Sequence, residues 1–154
     1  MDKVDAALLR RLEEDARQSY ADLGRRVGLS KTPCWHRVQE LEAQGVIRAY
    51  RADLDPQKLG LQVHAFVQAT IDARKYSDFE VAVQRHPSVL QCFTTAGAGD
   101  YLLHVLAPDI AALDGVLREE ISRMPGVQRT VSTVCMKTIK HGAPITGCLR
   151  GGTS

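Results

Sequence analysis

The sequence predicts an α+β protein in which a winged helix-turn-helix precedes a ferredoxin-like βαββαβ domain. Apolar residues recur at helical spacing over residues 4–50, whereas from Leu61 onward they follow period two and then alternate between the two periods. A chain of 154 residues is long enough for one generous domain or two small ones. We therefore predict a helix-turn-helix domain at 1–53, a linker at 54–61, a ferredoxin-like domain at 62–142 and a tail at 143–154.

Composition and charge exclude several classes of protein. Hydrophobic residues make up 44% of the chain and charged residues 25%, as in ordinary globular domains, so a disordered or fibrous protein is excluded. The 20 Lys and Arg residues exceed the 18 Asp and Glu residues by only two, so a polyanion would have to bind a local basic patch. There is no apolar run of membrane-spanning length and no secretory signal. We expect a cytoplasmic protein with no membrane partner and with its four cysteines reduced.

Two short helices are predicted in the first 28 residues. The apolar stripe of the first helix consists of Val4, Leu8, Leu9 and Leu12. The second helix follows a capping box that Ser19 forms with Asp22, and it ends at Gly28, a residue type that favours the left-handed conformation after a helix.

A third helix has its own start and stop signals. Thr32 is the expected N-cap and Pro33 the first helical residue, where the missing N–H costs nothing, and Gly45 ends the helix. The inward stripe is expected to consist of Trp35, Val38 and Leu41. Only residues 28–31 separate this helix from the second, a length typical of a helix-turn-helix. The β-type residues at 46–50 predict a short strand or wing.

The second half of the chain predicts a sheet covered by two helices. Strands are expected at 63–71, 89–95, 101–107 and 127–136. One helix is marked by Phe79 and Val83, and a long helix has the apolar stripe Ile110, Leu113, Leu117, Ile121 and Met124. Both helices are expected on one face of an antiparallel sheet. Because both faces of the first and third strands are partly apolar, we expect a second copy to cover the open face through residues 62–136, which makes the protein at least a homodimer.

Basic residues surround the predicted turn. Residues 17–51 contain seven Lys or Arg and three acids, whereas residues 1–16 contain three and five. A recognition helix presents polar side chains to the major groove of double-stranded DNA and is flanked by cations that contact phosphates. The candidate DNA-binding residues are Ser30, Lys31, Thr32, His36, Arg37, Glu40, Arg25 and Arg26.

These candidates have different expected roles. Arg37 suits the two acceptors of a guanine edge, while Ser30, Lys31 and Thr32 suit phosphate at a helix N-terminus. For Arg25 and Arg26 the alternative is ordinary solvated surface charge.

The string SYADLGRRVGLSKTPCWHRVQELEAQGVIRAY at residues 19–50 resembles the signature of the Lrp/AsnC (leucine-responsive, feast/famine) family of transcriptional regulators. Later landmarks in the same order are PSV at 87–89, GAGDYLL at 97–103 and MPGV at 124–127, and the likeness extends to about Lys140. The resemblance implies a sequence-specific DNA-binding regulator and not an enzyme. It also implies assembly into a dimer, tetramer or octamer through a RAM/ACT-like C-terminal domain that senses an amino acid or related metabolite.

The same resemblance implies an effector site at the subunit junction. Its candidate residues are Gly97, Ala98, Gly99, Asp100, Tyr101, Ser132, Thr133 and Val134. The residue types are compatible with an amino acid, because glycines expose backbone N–H groups to a carboxylate and Asp100 can bind an ammonium group. The alternative is a hairpin turn in which Asp100 satisfies its own backbone.

Two other classes of function stay open at this point. His64 and His104 lie on neighbouring strands, where two imidazoles with Cys135 or Asp100 nearby would suit a metal-dependent protein. The helix-turn-helix would alternatively contact another protein. The sequence lacks metal-ligand spacings, phosphate-binding loops and a nucleophile with a placed base, so we predict no metal, cofactor or catalytic residues.

Overall fold

A computed structural model of the chain describes residues 1–149 and contains two compact units. The first unit comprises residues 1–53 together with the chain from Ile139, and the second comprises Leu54–Thr138. The last five residues of the predicted tail, 150–154, lie outside the described residues. In the part of the chain that is described, no helix is long and apolar enough to span a bilayer.

The first unit is built on three helices. They are α1 at Lys3–Glu14, α2 at Tyr20–Val27 and α3 at Lys31–Ala43. The fully buried side chains of their core are Leu8, Leu23, Cys34 and Val38. Gly24 lets α2 and α3 approach closely, since a Cβ there would lie 2.7 Å from the carbonyl oxygen of Leu29. The sequence therefore produces the predicted helix-turn-helix.

Local hydrogen bonds explain where the first two helices begin and end. The Asp5 N–H donates to Asp2 at 2.8 Å and the Asp2 N–H donates to Asp5 at 3.1 Å, a capping box that the sequence analysis overlooked. Ser19 is confirmed as the N-cap of α2, with its hydroxyl oxygen accepting from the Asp22 N–H at 3.1 Å. The predicted capping box is incomplete, because the Asp22 carboxylate accepts from the Ser19 hydroxyl at 2.6 Å and not from the Ser19 N–H. Gly28 follows α2 with φ at 76°.

The start and the inward stripe of α3 differ from the prediction. Ser30, not Thr32, is the N-cap, so Pro33 is the third helical residue, still within the first turn, where N–H groups have no intrahelical partner. The buried stripe is Cys34, Val38 and Leu41, while Trp35 is 41% exposed. A helix turns about 100° per residue, so Cys34 replaces its neighbour on the inner face.

The predicted wing at residues 46–50 is wrong: this segment forms no strand, and all strands of the described chain lie within 63–134. The N–H groups of Val46 and Ile47 donate to the carbonyl of Leu41, at 2.9 and 3.1 Å. These bonds close the end of α3. A strand needs a hydrogen-bonded neighbour, and within residues 1–149 none is placed beside this segment.

The second unit has the predicted βαββαβ order. Its elements are β1 at Val63–Ile71, α4 at Tyr76–Arg85, β2 at Val89–Thr94, β3 at Tyr101–Ala107, α5 at Ile110–Gly115 and β4 at Val127–Val134. The sheet is antiparallel with strand order β2-β3-β1-β4. This topology confirms the ferredoxin-like fold.

The predicted long helix after residue 109 is interrupted. The chain is regular α-helix only to Gly115, widens into a π-turn at Val116–Glu120 and tightens into a 3₁₀ turn at Ile121–Arg123. The buried residues of this stretch are Leu113, Val116 and Ile121. The five-residue step from Val116 to Ile121 matches the wider turn, which keeps both side chains on the sheet.

One face of the sheet packs on the helices and the other is open. Most odd-numbered residues of β1 and β3 are buried against Phe79 and other helical side chains, Val67 and Leu103 completely. The opposite face, called here the open sheet face, carries His64, Phe66, Gln68, Phe93, Leu102, His104, Leu106, Val131 and Thr133. Phe93 is 50% exposed and Phe66 37% exposed. An apolar surface of this kind is typical of a subunit contact.

The described part of the tail packs on α1. Residues Ile145–Cys148 form a single 3₁₀ turn. The N–H groups of Ile145 and Thr146 donate to the Glu13 carboxylate at 2.9 and 3.0 Å, and Thr146 is buried.

Candidate nucleic-acid interface and effector region

The outer face of α3 is open to a ligand along its whole length. Thr32, His36 and Glu40 follow one another at four-residue steps, and all three are exposed. This spacing keeps them on one side of the helix, opposite the buried stripe. A helix of 13 residues is about 20 Å long, and its diameter of about 10–12 Å fits the width of the DNA major groove.

The N-terminus of α3 also faces solvent. Ser30, Lys31 and Thr32 are exposed, and the Ser30 side chain makes no capping hydrogen bond. The first-turn N–H groups and the Ser30 hydroxyl are therefore available to an anion such as a DNA phosphate.

The cations near the turn are not equivalent. Arg25 forms an ion pair with Asp22, whose pKa is lowered by the Ser19 hydroxyl and by this guanidinium. Arg26 and Lys31 are exposed and form no ion pair with any residue between 1 and 149. Both charges are thus available to an external partner.

The structure places Arg37 differently from the expectation of a free guanine-reading side chain. Its guanidinium donates to Asp2 at 2.6 Å and to Asp5 at 2.8 Å, and only 35% of the side chain is exposed. These hydrogen bonds raise the pKa of Arg37, while the Asp5 N–H and Arg37 lower that of Asp2. Arg37 lies beside the buried stripe and joins α3 to the first turn of α1.

Trp35 is a surface residue that the sequence analysis assigned to the core. Its ring meets His36 edge-on, with centroids 4.7 Å apart and planes at 66°. A better fit of the helical period to Cys34, Val38 and Leu41 would have shown that Trp35 faces outward.

Asp100 anchors the glycine-aspartate loop to β1. Its carboxylate accepts from the Ile71 N–H at 2.7 Å and from the Tyr76 hydroxyl at 3.2 Å, and its own N–H donates to the Ala69 carbonyl at 2.9 Å. Burial and the nearby Asp100 charge raise the pKa of Tyr76. The carboxylate expected to bind an ammonium group is therefore already bound to the chain, although to a neighbouring strand and not to its own backbone.

The other candidate effector residues have mixed surroundings. Tyr101 is buried and its hydroxyl donates to Glu80 at 2.7 Å; burial and this bond raise the pKa of Tyr101. Gly99 is buried, and a Cβ there would lie 3.3 Å from the Ala69 carbonyl oxygen. Gly97 and Ala98 are exposed. They form the part of the loop that a ligand can reach.

A single chain does not bring the two halves of the predicted effector site together. The loop is hydrogen-bonded to β1 through the Asp100 N–H and the Ala69 carbonyl, and Ala69 pairs with Thr130 in β4. The candidates Ser132, Thr133 and Val134 lie further along β4, where they pair with Val67, Phe66 and Ala65 and alternate between the two faces of the sheet. They would meet the loop only through another copy.

No cluster of metal ligands marks this region of the described chain. Within residues 1–149, no group of three or more His, Cys, Asp or Glu side chains converges as metal ligands would. An open cleft of about 970 Å³ lies instead in the first unit, lined by α1, residues 46–51 and the tail turn.

Comparison with protein families matches both units. Residues 1–42 match the AsnC-type helix-turn-helix domain, and residues 64–145 match the Lrp/AsnC ligand binding domain. The proline dehydrogenase transcriptional activator of Rhizobium radiobacter is 42% identical over 144 residues, 92% of either chain. The leucine-responsive regulatory protein of Escherichia coli is 38% identical over 144 residues, which span 92% of this chain and 88% of that protein.

Solved structures show the same architecture. A transcriptional regulator of Neisseria meningitidis, determined in complex with L-methionine, superposes with a TM-score of 0.89 and 34% identity, over 96% of this chain and 99% of that one. An AsnC family transcriptional regulator of Agrobacterium tumefaciens superposes with a TM-score of 0.85 and 38% identity, over 92% and 94% of the two chains.

Proposed function

This chain belongs to the Lrp/AsnC family of transcriptional regulators, and from that premise we propose which residues bind operator DNA and where the amino-acid effector binds. The observation that carries the DNA proposal is the exposed outer face of α3 beside Arg26 and Lys31, two cations that form no ion pair within residues 1–149. A polar helix face reads bases, and the flanking cations hold the phosphates that set its position.

Base reading is assigned to the middle of α3. His36 and Glu40 lie on the outer face within the first three turns of the helix, and Glu40 is suited to accept from the amino group of cytosine. Ser30, Lys31 and Thr32 bind phosphate at the helix N-terminus. Arg26 adds a further phosphate contact, and Arg25 does so once its guanidinium leaves Asp22 for the phosphate. Arg37 acts as a positioning residue through its ion pairs with α1.

An amino acid is the proposed effector, bound between subunits at the exposed part of the loop. The family model for the second unit describes a ligand binding domain, and the Neisseria meningitidis regulator was determined with L-methionine. The N–H groups of Gly97 and Ala98 offer donors to a carboxylate, and Ser132, Thr133 and Val134 of another copy complete the binding site. The dimer itself forms through the open sheet face.

Salt dependence tests the DNA proposal. We expect the affinity for operator DNA, measured by fluorescence anisotropy, to fall steeply with salt. Lys31→Ala should weaken all sequences alike and reduce the salt slope by about 1, while His36→Ala should cost about 1–3 kcal/mol of discrimination between operator and mismatched sites.

Arg118→Ala is the matched control, because Arg118 is an exposed cation of the second unit and is paired with Asp114. Its salt slope should equal that of the unaltered chain. A salt-independent affinity would indicate that the helix-turn-helix contacts a protein instead of DNA.

Thermal unfolding in the presence of each of the twenty amino acids tests the effector proposal. An amino acid at 100 times its Kd should stabilise the protein by about 2.7 kcal/mol. Gly97→Val should remove this effect, since a side chain there projects into the space where the ligand would bind; Gly147→Val, in equally open surroundings, should retain it. No stabilisation by any amino acid would refute this part of the proposal.

A further inference from the structure

Two imidazoles meet on the open sheet face. His64 of β1 and His104 of β3 are diagonal neighbours, since His64 pairs with Leu106 and His104 pairs with Phe66. The Nδ1 atom of His64 lies 3.3 Å from the Nε2 atom of His104. Each of these atoms is a nitrogen through which histidine binds metal ions.

The spacing of the two nitrogens matches a metal site. Zinc is tetrahedral in most protein sites, with Zn–N distances of 2.0–2.1 Å, so two nitrogens bound to one ion lie about 3.3–3.4 Å apart. The observed 3.3 Å is that separation. An ion can therefore replace the proton that the two rings share, after rotation of the rings and without movement of the strands.

Both rings are held by contacts that a metal ligand requires. The Nε2 atom of His64 lies 3.2 Å from Thr138 Oγ1, so this nitrogen can donate to the hydroxyl while Nδ1 keeps its lone pair for an ion. The His104 ring stacks on Phe66, with centroids 4.8 Å apart and planes at 18°. Such outer contacts orient metal-binding histidines and raise their affinity.

We propose that His64 and His104 form a binding site for Zn²⁺, with water in the other coordination positions. Among residues 1–149 no third protein ligand converges on the pair, so the site resembles an exchangeable one more than a closed structural one. The ion lies on the open sheet face, through which the proposed dimer forms.

Calorimetric titration of the full chain with Zn²⁺, after treatment with a chelator, tests the site. We expect one ion per chain. His64→Gln and His104→Gln should each abolish measurable binding, whereas His141→Gln, which removes an exposed histidine beside a single carboxylate, should leave it unchanged. Thr138→Val should weaken binding about 10- to 100-fold, because it removes the hydrogen bond that orients His64.

Cobalt provides a second measurement that needs no variant. Co²⁺ bound to the unaltered chain should give the visible absorption of nitrogen coordination, and Zn²⁺ should displace it. Zinc binding by the double His64→Gln/His104→Gln variant at the affinity of the unaltered chain would overturn the proposal, as would a Thr138→Val variant that binds equally well. No DNA or amino acid is present in these assays, so their result is independent of the proposed function.

Discussion

Arg37 shows how a single contact changes the expected role of a side chain. Its position in α3 is next to the exposed face, but two carboxylates at the start of α1 hold its guanidinium. A planar guanidinium with two carboxylates restrains the angle between the helices better than a lysine would. The proposed DNA-reading face therefore depends on acids that lie more than thirty positions earlier in the chain.

We expect Arg37→Ala to lower the unfolding temperature of the first unit and to weaken binding to operator and random DNA in equal proportion. Circular dichroism and anisotropy measure the two effects. Arg11→Ala is the control, because Arg11 is also paired on the surface, with Glu14, but joins no two helices. Unchanged unfolding combined with a selective loss of operator binding would show that Arg37 reads a base.

Gly126 is a second residue whose identity is imposed by its surroundings. It has φ at 78°, and a Cβ there would collide with the side chain of Lys75. We expect Gly126→Ala to destabilise the second unit by more than about 1 kcal/mol in denaturant unfolding. Gly97→Ala, at a position with open space and no positive φ, should leave the stability nearly unchanged. Equal stability of the two variants would contradict this account.

At the scale of the element, the tail turn depends on one carboxylate. Burial on its own would raise the pKa of Glu13, but the hydrogen bonds from Thr146 and Ile145 outweigh it and lower that pKa. When the pKa of a carboxyl is lower in the folded protein than in the unfolded chain, where it is about 4.3 for Glu, the group stabilises the fold. This stabilisation is fully present at pH values above the unfolded pKa. This contribution is lost as the pH falls through the folded value.

Glu13→Gln should therefore release the tail turn at neutral pH, because a neutral amide accepts more weakly than a carboxylate. Hydrogen exchange of the Ile145 and Thr146 amides should accelerate in this variant, and in the unaltered chain protection should decline below about pH 4.3. Glu14→Gln is the control, since Glu14 binds only the exposed Arg11. Equal protection in both variants would refute the role of Glu13.

At the scale of the whole molecule, the open sheet face predicts assembly. Its apolar residues come from all four strands, and they lie on the side of the sheet opposite α4 and α5. A dimer formed there would present two α3 helices, and a two-fold operator would then have half-sites about 34 Å apart.

Phe93→Asp should keep the chain monomeric at micromolar concentration in sedimentation experiments, because a charge would be buried in the contact. The monomer should bind single half-sites and lose cooperative binding to paired ones. Val81→Asp on α4 is the control, as Val81 is 48% exposed and Phe93 50% exposed, but Val81 lies away from the open face. A dimeric Phe93→Asp variant would place the contact elsewhere.

The sequence by itself determined the order of the elements and most of their faces. Periodicity is a local property, so Leu8, Leu23 and Val38 could be assigned to the core of the first unit, and the odd residues of β1 to that of the second. Family motifs around the helix-turn-helix and the glycine-aspartate loop indicated that the protein is a transcriptional regulator. These signals need only neighbouring residues.

Tertiary structure alone decided which side chains meet. The pairing of Arg37 with Asp2, the 3.3 Å approach of His64 to His104 and the binding of Asp100 to the end of β1 each join distant parts of the chain. The absence of a wing at residues 46–50 has the same origin, since β-type residues form a strand only beside a partner, and none of the described residues supplies one. Contacts of this kind depend on distances in space, which spacing along the sequence does not contain.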